Sequence, residues 1–162
     1  MTTSRKEHII KNNKSFRNEE IQHIVQLYSQ GKFQQSLIEA NEMLIMFPNS
    51  VTLLNIIGAI NSALKKFDNA INCYQKAICL KPNFAEAYNN MGVAKQNNGE
   101  LVSAIECYKK AVKININYVE AFNNLGKCFI IKNDYETAIY FYKKAIDIKP
   151  DYFEVYNNLG YA

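Results

Sequence analysis

The stretch A-E-A-Y-N-N-M-G, Ala85 to Gly92, returns as V-E-A-F-N-N-L-G from Val119 and as F-E-V-Y-N-N-L-G from Phe153, each copy 34 residues after the last. A weaker copy, V-T-L-L-N-I-I-G, begins at Val51 in the same frame. Self-similarity at a period of this length marks an array of small supersecondary units. One unit cannot bury its own apolar face, so neighbours must stack and share a core that runs along the array. Function is therefore to be sought in what recurs along the array.

Several columns hold a constant size of side chain. Gly58, Gly92, Gly126 and Gly160 form one; Ala70, Ala104 and Ala138 form a second, and Ala77, Ala111 and Ala145 a third. Larger groups alternate with them: Ile57, Met91, Leu125 and Leu159; Phe67, Leu101 and Tyr135; Tyr74, Tyr108 and Tyr142. Large residues are expected to face small ones across a helix pair. Pro48, Pro82 and Pro150 each follow the apolar end of a helical pattern, where proline cannot continue the helix.

These columns resemble the tetratricopeptide repeat, a helix-turn-helix unit. The resemblance covers Val51 to Tyr152 as three full units (51–84, 85–118 and 119–152), with a partial unit at 153–162 and a divergent one at 17–50. It implies an all-α fold, an α-solenoid of stacked antiparallel helix pairs. The sequence departs from the family pattern at Asn61 and Lys95, which replace aromatic or aliphatic groups, and at Ile116, which replaces the terminal proline. In the first unit Glu20, His23 and Ile24 occupy the columns of bulky, bulky and glycine, so that unit must pack differently.

Helical spacing places first helices at about Arg17 to Tyr28, Val51 to Leu64, Ala85 to Asn97 and Val119 to Lys132. Second helices are expected at about Phe33 to Phe47, Phe67 to Leu80, Leu101 to Ile114 and Tyr135 to Ile148. Turns of a few residues join them, which makes neighbours antiparallel. Residues 1–16 read as a polar, disordered leader without the apolar core of a signal peptide. Tyr156, Leu159 and Gly160 have no following helix in this sequence to cover them, which points either to a fragment of something longer or to a terminus used for contact, with self-association through that end the expected result for the chain alone.

Composition narrows the function classes. Nearly half of the 162 residues are apolar, and the formal charge is only +4 with acids and bases interspersed, unlike the clustered basic stripe of a nucleic-acid binder. Lys109-Lys110 and Lys143-Lys144 recur one unit apart and read as a solvated outer face. Cys73, Cys79, Cys107 and Cys128 lack metal-type C-x-x-C spacing and are expected to be reduced packing residues in a cytoplasmic protein. No apolar run is long enough to span a membrane. His8 and His23 have no partner motif, and no phosphate-binding glycine loop exists, so neither catalysis nor a cofactor or metal is expected.

On a helical wheel Tyr88, Met91, Gly92 and Lys95 share the packed side of their helix, while Glu86, Asn90, Val93 and Asn97 share the opposite side, with Asn89 at its flank. The resemblance implies that this opposite side lines a concave surface. Asn90, Asn124 and Asn158 then form a ladder of amides, with Asn89, Asn123 and Asn157 beside them and Ile56 breaking the row at the earlier rung. An amide offers donor and acceptor together, matching the N–H and C=O of a peptide backbone whatever its side chains. The N-N-L-G arrangement is similar to the repeat region of O-linked N-acetylglucosaminyltransferases, where the family's asparagines hold substrate backbone. Glu86, Glu120 and Glu154 add an acidic column, and Lys127 is the cation of this face in the clearer units. The expected function is a non-catalytic scaffold binding an extended peptide or partner protein. The alternative is the substrate-recruiting region of a larger enzyme, such as a glycosyltransferase or sulfotransferase. Because the ladder faces away from the packed stripe, alanine at Asn90, Asn124 and Asn158 is expected to leave folding intact.

Overall fold

The computed structural model describes residues 18–160, all helices and short turns. The leader expected at 1–16 lies outside the described residues. Helix α1 covers 18–29; then follow α2 (Phe33–Met46), α3 (Val51–Ala63), α4 (Phe67–Leu80), α5 (Ala85–Asn97), α6 (Leu101–Ile114), α7 (Val119–Ile131), α8 (Tyr135–Ile148) and α9 (Phe153–Gly160). Each helix packs on the next, and α3 also touches α5 as α5 touches α7, giving a solenoid of antiparallel pairs.

The turn inside each pair is set by one column. Gly31 (φ 73°), Lys65 (φ 58°), Gly99 (φ 84°) and Asn133 (φ 58°) all adopt the left-handed conformation that ends a helix. In each turn the next amide reaches back to an earlier carbonyl: Lys66 N–H to Asn61 O at 2.8 Å, Glu100 N–H to Lys95 O at 2.8 Å, Asp134 N–H to Phe129 O at 2.9 Å. The identical closure in three sequences explains why K-K, N-G-E and N-D can all make this turn. The second helices end alike whether or not proline follows, since Lys81 N–H bonds Ala77 O and Asn115 N–H bonds Ala111 O. Ile116 therefore replaces proline without moving the helix end, and simply stands 73% exposed.

The core is built from size complementarity across each pair. Ala70, Ala104, Ala138, Ala77, Ala111 and Ala145 are fully buried, as are the rings of Tyr74, Tyr108 and Tyr142. Each ring lies on the glycine of its own unit: a Cβ on Gly58 would sit 2.5 Å from Tyr74 and one on Gly92 2.7 Å from Tyr108, while Gly126 lies equally close against Tyr142. The first unit inverts the arrangement. Ile24 stands in the glycine column and Ala40 in the tyrosine column, and both are buried in one cluster with Met43, Leu53, Ile57 and Ile60. The divergence at Ile24 is thus a swap of large and small that keeps the volume filled. Ser36, in an alanine column, satisfies its buried hydroxyl by donating to Ile24 O at 2.9 Å.

Candidate inner-face binding surface

The first helices α3, α5 and α7 lie side by side, whereas open troughs separate the second helices. Their joined surface is the inner face of the solenoid, and it gathers most of the polar residues that sequence singles out. Asn90 and Asn124 are half-buried on it, not swung out into solvent. The Asn90 Nδ2 donates to Asn55 Oδ1 at 3.2 Å, Asn124 Nδ2 to Asn89 Oδ1 at 3.1 Å, and Asn158 Nδ2 to Asn123 Oδ1 at 2.9 Å. The second asparagine of every N-N pair thus reaches the first asparagine of the unit before it, a spacing of one period plus one residue.

These bonds show that the ladder asparagines, expected to face away from the packed stripe, also tie neighbouring units together. Each one bridges two units, and its acceptor is a core residue: Asn55, Asn89 and Asn123 are 7%, 7% and 2% exposed. Buried amides need partners, and the next unit supplies them. Asn55 Nδ2 also donates to Glu86 Oε1 at 2.8 Å, and Asn123 Nδ2 to Glu154 Oε1 at 3.1 Å. Asn157, by contrast, is exposed and makes no such bridge among the described residues. The signal for this pairing was present in the sequence as the N-N doublet itself, together with the lone Asn55 of the weaker copy.

The charges on this face do not balance. Lys127 Nζ lies 2.5 Å from Glu154 Oε1 and holds that carboxyl below the usual carboxylate range. Glu86 and Glu120 are exposed and make no ion pair among the described residues. The face is therefore acidic at its α5 and α7 rungs. Between those rungs stands Tyr118, whose phenol burial pushes up to about 12, so it stays a neutral hydrogen-bonding group. Chemically, the face offers fixed amides, two uncompensated carboxylates and a phenol. Among the described residues no cluster of histidine, cysteine and carboxylate could hold a metal.

The outer surface carries two troughs at equivalent positions. One of about 830 Å³ is lined by Pro48, Leu54, Lys76, Cys79 and Leu80, among others, and one of about 450 Å³ by Pro82, Tyr88, Lys110, Lys113 and Ile114. Leucine in place of the tyrosine and cysteine in place of the lysine make the first wider and more apolar. Cys79 is exposed, as is Lys113 in the same column, against the expectation that all four cysteines pack, whereas Cys107 and Cys128 are buried, with thiols pushed up to about 11 by desolvation. Lys109, Lys110, Lys143 and Lys144 are all exposed on second helices.

Stacked helix hairpins with a continuous first-helix face define the class of helical-repeat solenoids. The chain belongs to the tetratricopeptide-repeat family: a family profile described as TPR repeat matches residues 58–99 and 126–162, and two described as tetratricopeptide repeat match 85–118 and 107–140. No curated protein sequence matches at a significant level. Among solved structures, MamA is 27% identical over 84% of this chain and 80% of its own, with a TM-score of 0.75. The first TPR of Spaghetti (RPAP3), solved bound to the HSP90 peptide SRMEEVD, is 24% identical over 68% of this chain and 88% of its own, TM-score 0.66. A thermophilic TPR protein of Thermus thermophilus is 15% identical over 85% of this chain and 76% of its own, TM-score 0.78. The last two bear on the fold alone. Among the described residues no helix is long and apolar enough to cross a membrane.

Proposed function

We propose that this protein is a non-catalytic interaction scaffold whose inner face holds an extended segment of another protein, chiefly through its backbone. The observation that carries the reading is the row of amides pre-oriented by bonds between units. Each asparagine has two N–H groups and two acceptor lone pairs. Asn124 spends one N–H on Asn89 and keeps its second N–H and its carbonyl oxygen for a ligand. A ligand meeting amides already fixed in place loses less ordering entropy than one meeting mobile side chains. Each such bond contributes about 0.5–1.5 kcal/mol, so useful affinity needs several rungs and side-chain contacts as well. Asn90, Asn124 and Asn158, with Asn89 and Asn123 behind them, form the rungs; Glu86 and Glu120 favour neutral or basic segments over acidic ones; Lys127, neutralised by Glu154, is no carboxylate clamp. That a protein of the same fold holds a peptide supports the use of this architecture for peptides. The test is calorimetric titration with an unstructured basic peptide against an acidic one of equal length. Equal binding of both, or preference for the acidic one, contradicts the reading.

The free thiols suit a reducing compartment such as the cytoplasm. Phe153 and Tyr156, 79% and 45% exposed on α9, supply an apolar surface for self-association. Sedimentation of the Phe153→Glu/Tyr156→Glu variant tests this, and association unchanged by the substitutions rules it out.

A further inference from the structure

The inner face is not uniform along its length. Between α1, α3 and α5 it carries two adjoining hollows, of about 170 Å³ and about 180 Å³, which share Tyr28, Ala59 and Asn90 in their walls. Their origin is legible column by column. The α3 residues that line the first hollow are Ala59, Ser62 and Ala63; the same columns hold Val93, Gln96 and Asn97 in α5, and Lys127, Ile130 and Ile131 in α7. In α5 the longer Gln96 reaches the Tyr108 hydroxyl, which donates to its Oε1 at 3.0 Å. In α3 the shorter Ser62 lies against the Tyr74 phenol without a well-formed hydrogen bond, and its Oγ stays buried. Small side chains on one helix, with neighbours spaced for large ones, leave the space empty.

Size and lining say what fits. Sites for cofactors and drug-sized molecules run to roughly 300–1,000 Å³, and neither hollow reaches that. Each equals several water volumes at about 30 Å³ apiece, the size of one branched aliphatic side chain. Val25, Ile56, Ala59 and Val93 make the walls apolar, while Glu86 stands at the rim and is exposed. Ile56 interrupts the amide row at this rung, so here the face exchanges backbone recognition for side-chain recognition.

We propose that the hollows form a side-chain socket that selects, among segments lying on the amide row, those with a leucine-sized aliphatic residue and a lysine or arginine two positions away. Side chains at i and i+2 of an extended segment point the same way, about 6.6 Å apart. The aliphatic group therefore enters the hollow walled by Tyr28, Ala59 and Val93 while the cation meets Glu86, the carboxylate that lines the adjoining hollow. This inference rests on the reading of the inner face as a peptide groove and adds to it a preference of sequence.

The experiment uses the full chain and two end-capped, extended-favouring probe peptides that carry the same lysine and differ only at the residue two before it, leucine in one and alanine in the other. The wild type is expected to prefer the leucine peptide on the order of tenfold. The Ala59→Val/Ser62→Gln variant fills the socket with the residues of the next unit, which already pack in this fold. In it the preference is expected to vanish while affinity for the alanine peptide, which also reports correct folding, is unchanged. Asn124→Ala is expected to weaken both peptides by a similar factor and keep the preference. No leucine preference in the wild type, or a preference that survives in the filled variant, overturns the socket and leaves the groove standing. Binding of neither peptide to the wild type overturns the groove and the socket with it.

Discussion

Replacing Gly92 by alanine adds one methyl at a place where the structure leaves no room for it. The new Cβ would lie 2.7 Å from Tyr108 Cε1, 2.9 Å from Cδ1 and 3.0 Å from Cζ, against about 3.5–4.0 Å for comfortable carbon contact. The ring must retreat by most of an ångström, yet Tyr108 is fully buried and its hydroxyl is tied to Gln96 at 3.0 Å. Overpacking of this kind costs about 1–3 kcal/mol, and loosening the hydroxyl bond adds about 0.5–1.5 kcal/mol. Alanine's advantage over glycine within a helix returns about 1 kcal/mol. The net expectation for Gly92→Ala is a loss of about 1–3 kcal/mol, read as a lower urea midpoint at constant slope. The same change in a Tyr108→Ala background has no ring to strike, so there it should stabilise by up to about 1 kcal/mol. That reversal of sign is the sharp test, and the first unit, with Ile24 set against Ala40, shows that the fold tolerates the exchange of large and small. If Gly92→Ala proves neutral or stabilising beside an intact Tyr108, the size-complementarity explanation of the core is refuted.

Alanine at Asn90, Asn124 and Asn158 together removes three bonds between units, about 0.5–1.5 kcal/mol each, and regains up to about 0.7 kcal/mol of helix propensity at each, so a net destabilisation of up to about 2.5 kcal/mol is expected; an unchanged urea midpoint would show that the amide bridges do not hold the stack. Stability should also fall at alkaline pH. Burial raises Tyr142 to about 12 and Cys128 to about 11, so the folded state keeps protons that the unfolded chain releases from about pH 9 for cysteine and pH 10 for tyrosine. Their contribution is complete below those values and is lost as pH rises through the folded values, at on the order of 1 kcal/mol per pH unit for each group. Denaturant midpoints measured from pH 8 to 11 should decline throughout the upper part of that range, and a flat profile would contradict the burial of these side chains.

The architecture was legible because every unit states it again. Glycine, alanine and tyrosine columns agree over several copies, and the second helices begin and end where the pattern places them. What one unit cannot state is its relation to the next. The 35-residue spacing from Asn55 to Asn90 depends on how α3 and α5 lie side by side, and a helical wheel drawn for α5 alone shows Asn90 only as outward-facing. Lys95 was legible as an oddity on the packed side, but its resolution, a 2.7 Å ion pair with Glu100 across the turn, requires the turn's geometry. The same holds for Ser62, where a short side chain becomes a hollow only once Tyr74 and the neighbouring helices are in place.

The most direct test of the central claim is a titration of isotope-labelled protein with the leucine- and lysine-bearing peptide, following the asparagine side-chain amides by NMR. The expected result is that the amides of Asn90 and Asn124, and the backbone around Ala59 and Glu86, shift together in one saturable event, while Leu80, Cys79 and Lys110 in the outer troughs stay still. Shifts centred on those outer residues, with the inner amides unmoved, would place binding on the opposite surface and contradict the account.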